Sequence, residues 1–247
     1  MTSSCSNPAG STQAMELVCY RCPARSSDLC AGVPDNELKL LGAISTHLHL
    51  KPEETLILDG DASDHVYNVV RGTLMMTRLG SDGRRQILAF LLTGHFIGFS
   101  SDQLYRFNVE ALTDCELCRF ERKKLEPLFE AYPEMERRFR QMAARVIETS
   151  LDLVFTLGRR NATERMSAFL LHLRDAQREA AEIPKGAQAV WQIPMTRTDI
   201  ADYLGLTIET VSRVLSRLKS KGILRLPTLH SFEVLNETAL VDAAGAD

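Results

Sequence analysis

Residues 196–222, TRTDIADYLGLTIETVSRVLSRLKSKG, carry the pattern that decides the C-terminal fold. Apolar residues recur at helical spacing in two runs on either side of Gly205. Thr196 or Thr198 can cap the first helix, and Thr207 can cap the second. Gly205 can supply the left-handed turn between them. Two short helices joined by such a turn form a helix-turn-helix unit.

The second of these helices exposes side chains that can read base edges in DNA. The candidate DNA-contacting residues are Thr198 in the first helix and Glu209, Thr210, Ser212, Arg213 and Arg217 in the second. Arg213 can donate two hydrogen bonds to guanine, and Glu209 can accept one from cytosine. Lys219, Lys221 and Arg225 are expected to contact phosphates, which position a protein on DNA without reading the sequence.

Positive charge is concentrated in this segment of an otherwise acidic chain. The whole sequence carries a net charge of −3, whereas residues 196–225 contain six basic and three acidic residues, a balance of +3. Local positive charge on one element is typical of a module that contacts phosphates. The alternative is an ordinary pair of antiparallel helices whose charges are merely solvated.

Short strands are predicted upstream of the helices and again behind them. From about residue 54 to residue 120 the chain consists of apolar runs separated by turn residues, with Asp-Gly pairs at 59–60 and 82–83. This pattern of short apolar runs and turns predicts a compact antiparallel barrel or double sheet. The runs in GILRLPTLHSFEVL, residues 222–235, predict a two-stranded wing.

A long amphipathic helix is predicted between the β region and the helix-turn-helix unit. In PEMERRFRQMAARVIETSLDLVFTLGRR, residues 133–160, apolar side chains follow alternating steps of four and three. A heptad-like stripe placed between two domains favours a dimer interface over packing within one domain. The residues predicted to line that interface are Met135, Phe139, Met142, Val146, Ile147 and Leu153.

Length and composition are those of a soluble globular protein with two modest domains. Of the 247 residues, 45% are hydrophobic and 25% are charged, and no apolar run approaches the length of a membrane span. The N-terminus has neither the basic nor the apolar stretch of a signal peptide, so a cytoplasmic protein is expected. No catalytic motif or Gly-rich phosphate loop occurs, so an enzyme is not expected.

Five of the six cysteines form two groups, and Cys5 lies apart near the N-terminus. Cys19, Cys22 and Cys30 lie within VCYRCPARSSDLC, and Cys115 and Cys118 follow in a predicted strand. Structural disulfides are rare in the cytoplasm, so metal binding, redox chemistry or plain burial is expected. Thiolates at this spacing suit both a zinc ion and an iron–sulfur cluster, and the spacing alone leaves both open, beside incidental thiols.

The order of β domain, long helix and helix-turn-helix resembles the CRP/FNR family of bacterial transcription regulators, over roughly residues 17–236. IETVSR, residues 208–213, is similar to the recognition signature E-x-x-S-R of the FNR-type branch (FnrN-, FnrL- and FixK-like). The resemblance implies an α+β fold with an N-terminal antiparallel β-roll, a long dimerisation helix and a C-terminal winged helix-turn-helix. It also implies a homodimer that reads a palindrome like TTGAT-N4-ATCAA in double-stranded DNA and acts on RNA polymerase.

Four parts of the chain follow from these segments. They are a flexible tail with the cysteine-rich sensor segment (1–34), the β-roll sensor domain (35–130), the dimerisation helix (131–159) and the winged helix-turn-helix domain (160–247).

The residues that hold a cyclic nucleotide in other members of the family are missing. Nucleotide binders carry a Gly-Glu turn followed by Arg-Ser or Arg-Thr. Here Gly94 is followed by His95, and Arg106 is followed by Phe107. No cyclic nucleotide is therefore expected to bind.

The sensor that the resemblance implies is a [4Fe–4S] cluster. FNR-type oxygen sensors bind it through three N-terminal cysteines and one from the β-roll; the matching residues here are Cys19, Cys22, Cys30 and Cys118. In the family's pattern the fourth ligand follows the Ala of an Ala-Leu strand start by seven residues, and counting from Ala111 gives Cys118. Cys115 is then expected to be a buried thiol. The gap of seven residues before Cys30 is longer than in the best-known member and is similar to that of α-proteobacterial relatives.

The expected function is oxygen-responsive control of transcription, mainly activation, in the anaerobic or microaerobic response. The cluster would control dimerisation and thereby DNA binding. The alternative is a cluster-less, FixK-like activator that is controlled by its abundance or by cysteine oxidation.

Overall fold

The computed structural model describes Cys19, Cys22, Cys30 and residues 33–98, 100, 103–184 and 187–245. The expected tail and sensor segment, residues 1–34, therefore lies outside the described residues apart from its three cysteines, Val33 and Pro34. No helix in the described part is long and apolar enough to cross a membrane.

Two antiparallel four-stranded sheets form the β domain. After helix α1 (Asp35–Ile44) come β1 (Ser45–Leu50), β2 (Thr55–Ile57), β3 (His65–Arg71), β4 (Leu74–Leu79), β5 (Arg85–Leu91), β6 (Phe96–Ile97), β7 (Asn108–Ala111) and β8 (Cys115–Glu121). One sheet has the order β1-β8-β3-β6, and the other has the order β2-β7-β4-β5. This arrangement confirms the predicted antiparallel β-roll.

The turn between β3 and β4 depends on glycine. Gly72 has φ 97°, and a Cβ added there would lie 2.5 Å from the carbonyl oxygen of Asp114. A side chain would therefore push β3 away from the start of β8.

The two faces of the β1-β8-β3-β6 sheet contribute to different apolar clusters. An inner core lies between the sheets and comprises Ile57, Tyr67, Val69, Leu74, Leu91, Ile97, Tyr105, Val109, Ala111, Cys115 and Leu117. The outer cluster covers the opposite face and comprises Val33, Leu38, Leu41, Val66, Val70, Phe96, Cys118, Phe120, Leu125, Met135 and Met142. Helices α1, α2 (Arg122–Ala131) and the first half of α3 (Pro133–Arg159) supply the outer cluster's helical members.

Helix α3 packs on the β-roll along its first half, which corrects part of the predicted interface. Met135 and Met142 are each 1% exposed and belong to the outer cluster. Phe139 packs beside them, with its ring centroid 5.4 Å from that of Phe96 and 4.9 Å from that of Phe129. These three α3 residues were predicted to contact a second subunit, but they cover apolar surface of their own domain.

The second half of α3 leaves an apolar face uncovered. Val146, Ile147, Leu151, Val154 and Phe155, which we call the exposed seam, are 43–67% exposed. Ile147, Leu151 and Val154 follow the four–three spacing of a helix-pairing stripe that lies two positions before the predicted one. Of the remaining predicted residues, Val146 and Ile147 lie on this seam. Leu153 is half-buried and lines a cleft with His172 and Tyr203.

The C-terminal domain contains the helix-turn-helix and its wing. Its elements are α4 (Ala162–Ala180), β9 (Trp191–Gln192), α5 (Arg197–Leu204), α6 (Ile208–Ser220), β10 (Leu224–Thr228), β11 (Ser231–Val234) and α7 (Glu237–Ala243). The strands form a three-stranded sheet in the order β10-β11-β9, which confirms the predicted wing and adds a third strand.

The β-roll and the C-terminal domain share one apolar core and an ion-pair cluster. Phe90 of β5 packs against Phe169 and Tyr203, with ring centroids 6.0 and 5.0 Å away. Beside them the Arg85 guanidinium lies 2.8 Å from a carboxylate oxygen of Asp199 and 2.8 Å from one of Asp202. Strand β5 is thereby bound to α5, the first helix of the helix-turn-helix.

We expect Arg85 and Asp202 to contribute jointly to the stability of the C-terminal domain. A double-mutant cycle of Arg85→Ala and Asp202→Ala should give a coupling of about 0.5–1 kcal/mol, as for a partly exposed ion pair. Trp191 is the chain's one tryptophan and is buried in the C-terminal domain, so its fluorescence in urea reports the unfolding.

Arg84→Ala is the matched control for this cycle, because Arg84 pairs with Asp82 in the β4–β5 turn. It should leave the Trp191 transition unchanged. Strictly additive effects of Arg85→Ala and Asp202→Ala would show that this ion pair contributes nothing to stability.

Candidate functional sites: the DNA-reading helix and the cysteine cluster

The helix-turn-helix is set up by local hydrogen bonds at its helix ends. Thr196, rather than Thr198, caps α5: its hydroxyl accepts from the backbone N–H of Asp199, whose carboxylate accepts from that of Thr196. Gly205 ends the helix in the left-handed conformation, with φ 61° and ψ 44°. Thr207 caps α6 by accepting from the backbone N–H of Thr210. The predicted turn chemistry is confirmed at Gly205 and Thr207.

Helix α6 buries one side and leaves the other open. Its buried residues are Val211, Val214, Leu215 and Leu218. The predicted DNA-contacting residues Glu209, Ser212, Arg213 and Arg217 are exposed on α6, Thr210 is half-buried, and Thr198 is exposed on α5. One continuous polar face therefore carries every predicted base-reading side chain of α6, as insertion into a major groove requires.

Three side chains at the start of α6 are connected. The Arg213 guanidinium donates to the Thr210 hydroxyl over 3.3 Å, and that hydroxyl lies 3.1 Å from the hydroxyl of Thr207. The pKa of Glu209 is lowered, first by its own backbone N–H, then by the Thr207 side chain and by the charge of Arg213. Glu209 is therefore a carboxylate at neutral pH, the form that accepts hydrogen bonds.

Arg165 ties the helix-turn-helix to the long helix, and sequence reasoning missed it. From the start of α4 its guanidinium donates to the carbonyl oxygens of Leu157 and Arg160 at the end of α3, over 2.7 and 2.8 Å. It also donates to the carbonyl oxygen of Leu204 at the end of α5, over 2.9 Å. These carbonyls have no partner within their own helices, so a cation is well placed there. An Arg inside an amphipathic helix gives no sequence signal for this role.

One of the predicted phosphate contacts is engaged within the wing. The Arg225 guanidinium forms two hydrogen bonds with the Glu233 carboxylate across β10 and β11, at 2.7 and 2.5 Å. This carboxylate neutralises much of the charge that Arg225 was expected to offer to DNA. Lys219 and Lys221, at the end of α6, are exposed.

The two cysteines of β8 face opposite sides of their sheet. Cys115 lies in the inner core, where its thiol donates to the carbonyl oxygens of Thr73 and Thr113 over 3.4 and 3.2 Å. Cys118 lies in the outer cluster, and its sulfur is 4.0 Å from Nδ1 of His47 on β1. Period-two alternation along the strand produces this separation.

Cys19, Cys22 and Cys30 lie against the same outer cluster as Cys118. The Cys19 sulfur lies close to α1, 3.3 Å from where a Cβ on Gly42 would stand. Burial raises the pKa of the Cys118 thiol, and the nearby Cys22, Cys30 and Cys19 raise it further. The three N-terminal thiols are thus close enough to Cys118 to affect its ionisation.

The thiols nevertheless do not form a closed ligand shell by themselves. Among the residues that the structure describes, no three His, Cys, Asp or Glu side chains are gathered closely enough to hold a metal ion. Four cysteine sulfurs converging on one apolar surface are still the donor set that iron–sulfur clusters and zinc use. Binding either group would take the protons from these thiols, and the positive metal would offset the cost of burying thiolates. The chemical identity of the four donors therefore suits such a group, although their sulfurs are not gathered around one point in this structure.

Comparison with known proteins bears on both ends of the chain. Residues 47–132 match the family profile of the cyclic nucleotide-binding domain, and residues 164–243 match that of the Crp-like helix-turn-helix domain. Over 228 residues the chain is 35% identical to the nitrogen fixation regulation protein FixK of Bradyrhizobium diazoefficiens, covering 92% of this chain and 94% of that protein. The chain belongs to the CRP/FNR family of transcription regulators.

Other members of the CRP/FNR family agree with this result. The transcriptional activator protein FnrL of Cereibacter sphaeroides is 33% identical over 231 residues, which is 93% of this chain and 92% of that protein. The structure of FixK2 from Bradyrhizobium japonicum superposes with a TM-score of 0.74 at 32% identity, covering 83% of this chain and 99% of that one. These similarities confirm the CRP/FNR fold and a DNA-binding regulator. The similar proteins are regulators rather than enzymes, as expected.

Proposed function

We propose that this protein is an oxygen-responsive transcription activator, which binds a [4Fe–4S] cluster through Cys19, Cys22, Cys30 and Cys118. The observation that carries the proposal is the shared packing of these four cysteines and the first half of α3 in one outer cluster. A change in the positions of the sulfurs would then alter the packing of α3, the helix that bears the exposed seam. The likeness to FnrL, named a transcriptional activator, supports the choice of activation.

The chain's own residues hold the sensor and transmit its state. When bound, a [4Fe–4S] cluster supplies a link between thiolates that oxygen can destroy. Cys118 would fix that link to the sheet, while Cys19, Cys22 and Cys30 would attach the N-terminal segment to it. Phe96 and Phe139 carry the packing from the sheet to α3, with their rings 5.4 Å apart. Loss of the link would free the N-terminal cysteines and would let the packing around Phe139 relax.

The exposed seam is the proposed dimer interface. Burying Ile147, Leu151 and Val154 against the same residues of a second chain would remove a continuous apolar stripe from water. Two α6 helices would then face successive major grooves of a palindrome such as TTGAT-N4-ATCAA. A dimer that contacts both half-sites of the palindrome binds far more tightly than a monomer that contacts one. Control of dimerisation would therefore control how much of the DNA site is occupied.

A second candidate is supported by the 35% identity to FixK of Bradyrhizobium diazoefficiens. In that case no cluster would bind, and the protein would be controlled by its abundance or by oxidation of its cysteines. RNA polymerase would be the partner at promoters in either case.

Anaerobic purification separates these candidates. The wild-type chain should be brown, with iron and sulfide in equal amounts, and Cys118→Ser should lose both because one thiolate ligand is missing. Cys115→Ser is the matched control and should keep them, since Cys115 faces the inner core. A colourless anaerobic wild type, zinc in place of iron, or iron retained by Cys118→Ser would contradict the proposal.

Leu151→Glu should abolish dimerisation, because it places two like charges in the middle of the seam. In sedimentation experiments the variant should be a monomer, with at least about tenfold weaker DNA binding. Leu79→Glu changes a leucine of similar exposure on the β-roll, 57% against 62%, and should behave as the wild type. A dimeric Leu151→Glu protein would show that the exposed seam is not the dimer interface.

Arg213→Ala should relax discrimination at one base pair of each half-site by about 1–3 kcal/mol, through loss of a bidentate contact. Lys219→Ala should instead weaken binding to all sequences about equally. Titration of the palindrome and of a single-position variant, at fixed salt, measures both effects. Unchanged discrimination in Arg213→Ala would exclude base reading by this residue.

A further inference from the structure

Cys118 lies in a row of residues that crosses the β1-β8-β3-β6 sheet. In the strand register Cys118 is paired with His47 on one side and with Asn68 on the other, and Asn68 is paired with Phe96. Directly paired residues of antiparallel strands point to the same face, with Cβ atoms about 4.5–5.5 Å apart. Asn68 is therefore an immediate neighbour of Cys118 on the face that the outer cluster covers.

Asn68 is an unusual residue for this position. Its neighbours on the same face of β3 are Val66 and Val70, both members of the outer cluster. Asn68 is 1% exposed, and its Oδ1 has no hydrogen-bond partner among the residues that the structure describes. A buried polar atom without a partner costs free energy, and asparagine is disfavoured in strands. An apolar side chain would suit the protein without a ligand better, so the carboxamide points to a group that is bound here.

We propose that Asn68 is a positioning residue for the cluster, whose carboxamide holds the Cys118 sulfur by a hydrogen bond when iron is bound. This inference rests on the proposed function. Beyond the four cysteine ligands, it names a residue that affects how stably the cluster is bound.

The carboxamide suits a metal-bound Cys118. A metal-bound thiolate accepts hydrogen bonds and therefore needs a donor, which the NH2 group of the side chain supplies. The amide end can turn about its terminal bond to aim that group at the sulfur without moving β3. A valine or leucine at this position has no donor.

The test compares Asn68→Leu, which keeps the size and removes the polar atoms, with the wild type in full-length, anaerobically reconstituted protein. The readout is the rate at which an iron chelator removes iron without oxygen, followed by the visible absorption. Loss of a hydrogen-bond partner of a metal ligand should make iron release about tenfold faster or more. Asn68→Thr supplies a hydroxyl as hydrogen-bond donor and suits a strand. Its rate of iron release should therefore lie between those of the wild type and Asn68→Leu.

Asn108→Leu is the matched control, because it makes the same change in the other sheet. Asn108 Oδ1 accepts from the backbone N–H of Asp59 over 3.0 Å, so this variant should melt at a lower temperature yet release iron at the wild-type rate. Iron-free Asn68→Leu should melt at or above the wild-type temperature, because an unsatisfied buried atom is gone. A lower melting temperature of that form would make Asn68 a structural residue and overturn the proposal.

The two proposals fail in different ways. A wild type that takes up no iron overturns the cluster and the Asn68 role together. A wild type that holds iron, beside an Asn68→Leu protein with the same release rate, overturns only the Asn68 role. The Asn68 role is supported if Asn68→Leu releases iron faster than the wild type, Asn68→Thr releases it at an intermediate rate, and Asn108→Leu releases it at the wild-type rate.

Discussion

Apolar burial on one face of the β1-β8-β3-β6 sheet is the constraint on which the rest of the molecule depends. Cys118 and Phe96 on that face, and Met135 and Met142 from α3, are members of a single cluster. Well-packed interiors have few intermediate arrangements, so a change at one edge of such a cluster is transmitted to the other. The position of the sulfurs and the position of the long helix are therefore not independent.

The helix-turn-helix is held from two directions through its first helix, α5. Arg85 of the β-roll binds the acidic side chains of α5, and Arg165 binds the carbonyls that end α3 and α5. Neither arginine approaches the outer face of α6, where Ser212 and Arg213 are exposed. Both contacts thus orient the helix-turn-helix relative to α3 while leaving its reading face open, and in a dimer they would set the distance between two such faces.

Local chemistry made the C-terminal half predictable from the sequence. The cap at Thr207 and the left-handed turn at Gly205 depend on neighbours within a few residues, so the sequence predicts them correctly. The stripe on α3 was only half right, because helical spacing shows that a face is apolar but not which part of it the chain's own β-roll covers. The Arg85–Asp202 contact joins residues that are 117 positions apart, and Asn68 became notable only once the register placed it beside Cys118. Contacts of this kind depend on tertiary structure and give no local signal.

The central claim is that the outer cluster couples the cysteines to dimerisation through α3. Native mass spectrometry of the full chain, before and after exposure to air, tests this most directly because it weighs the metal and the oligomer in one measurement. Without oxygen we expect a dimer with one [4Fe–4S] mass per chain, and after exposure we expect a monomer that has lost that mass. A dimer of unchanged stoichiometry in both samples, with or without iron, would contradict the central claim.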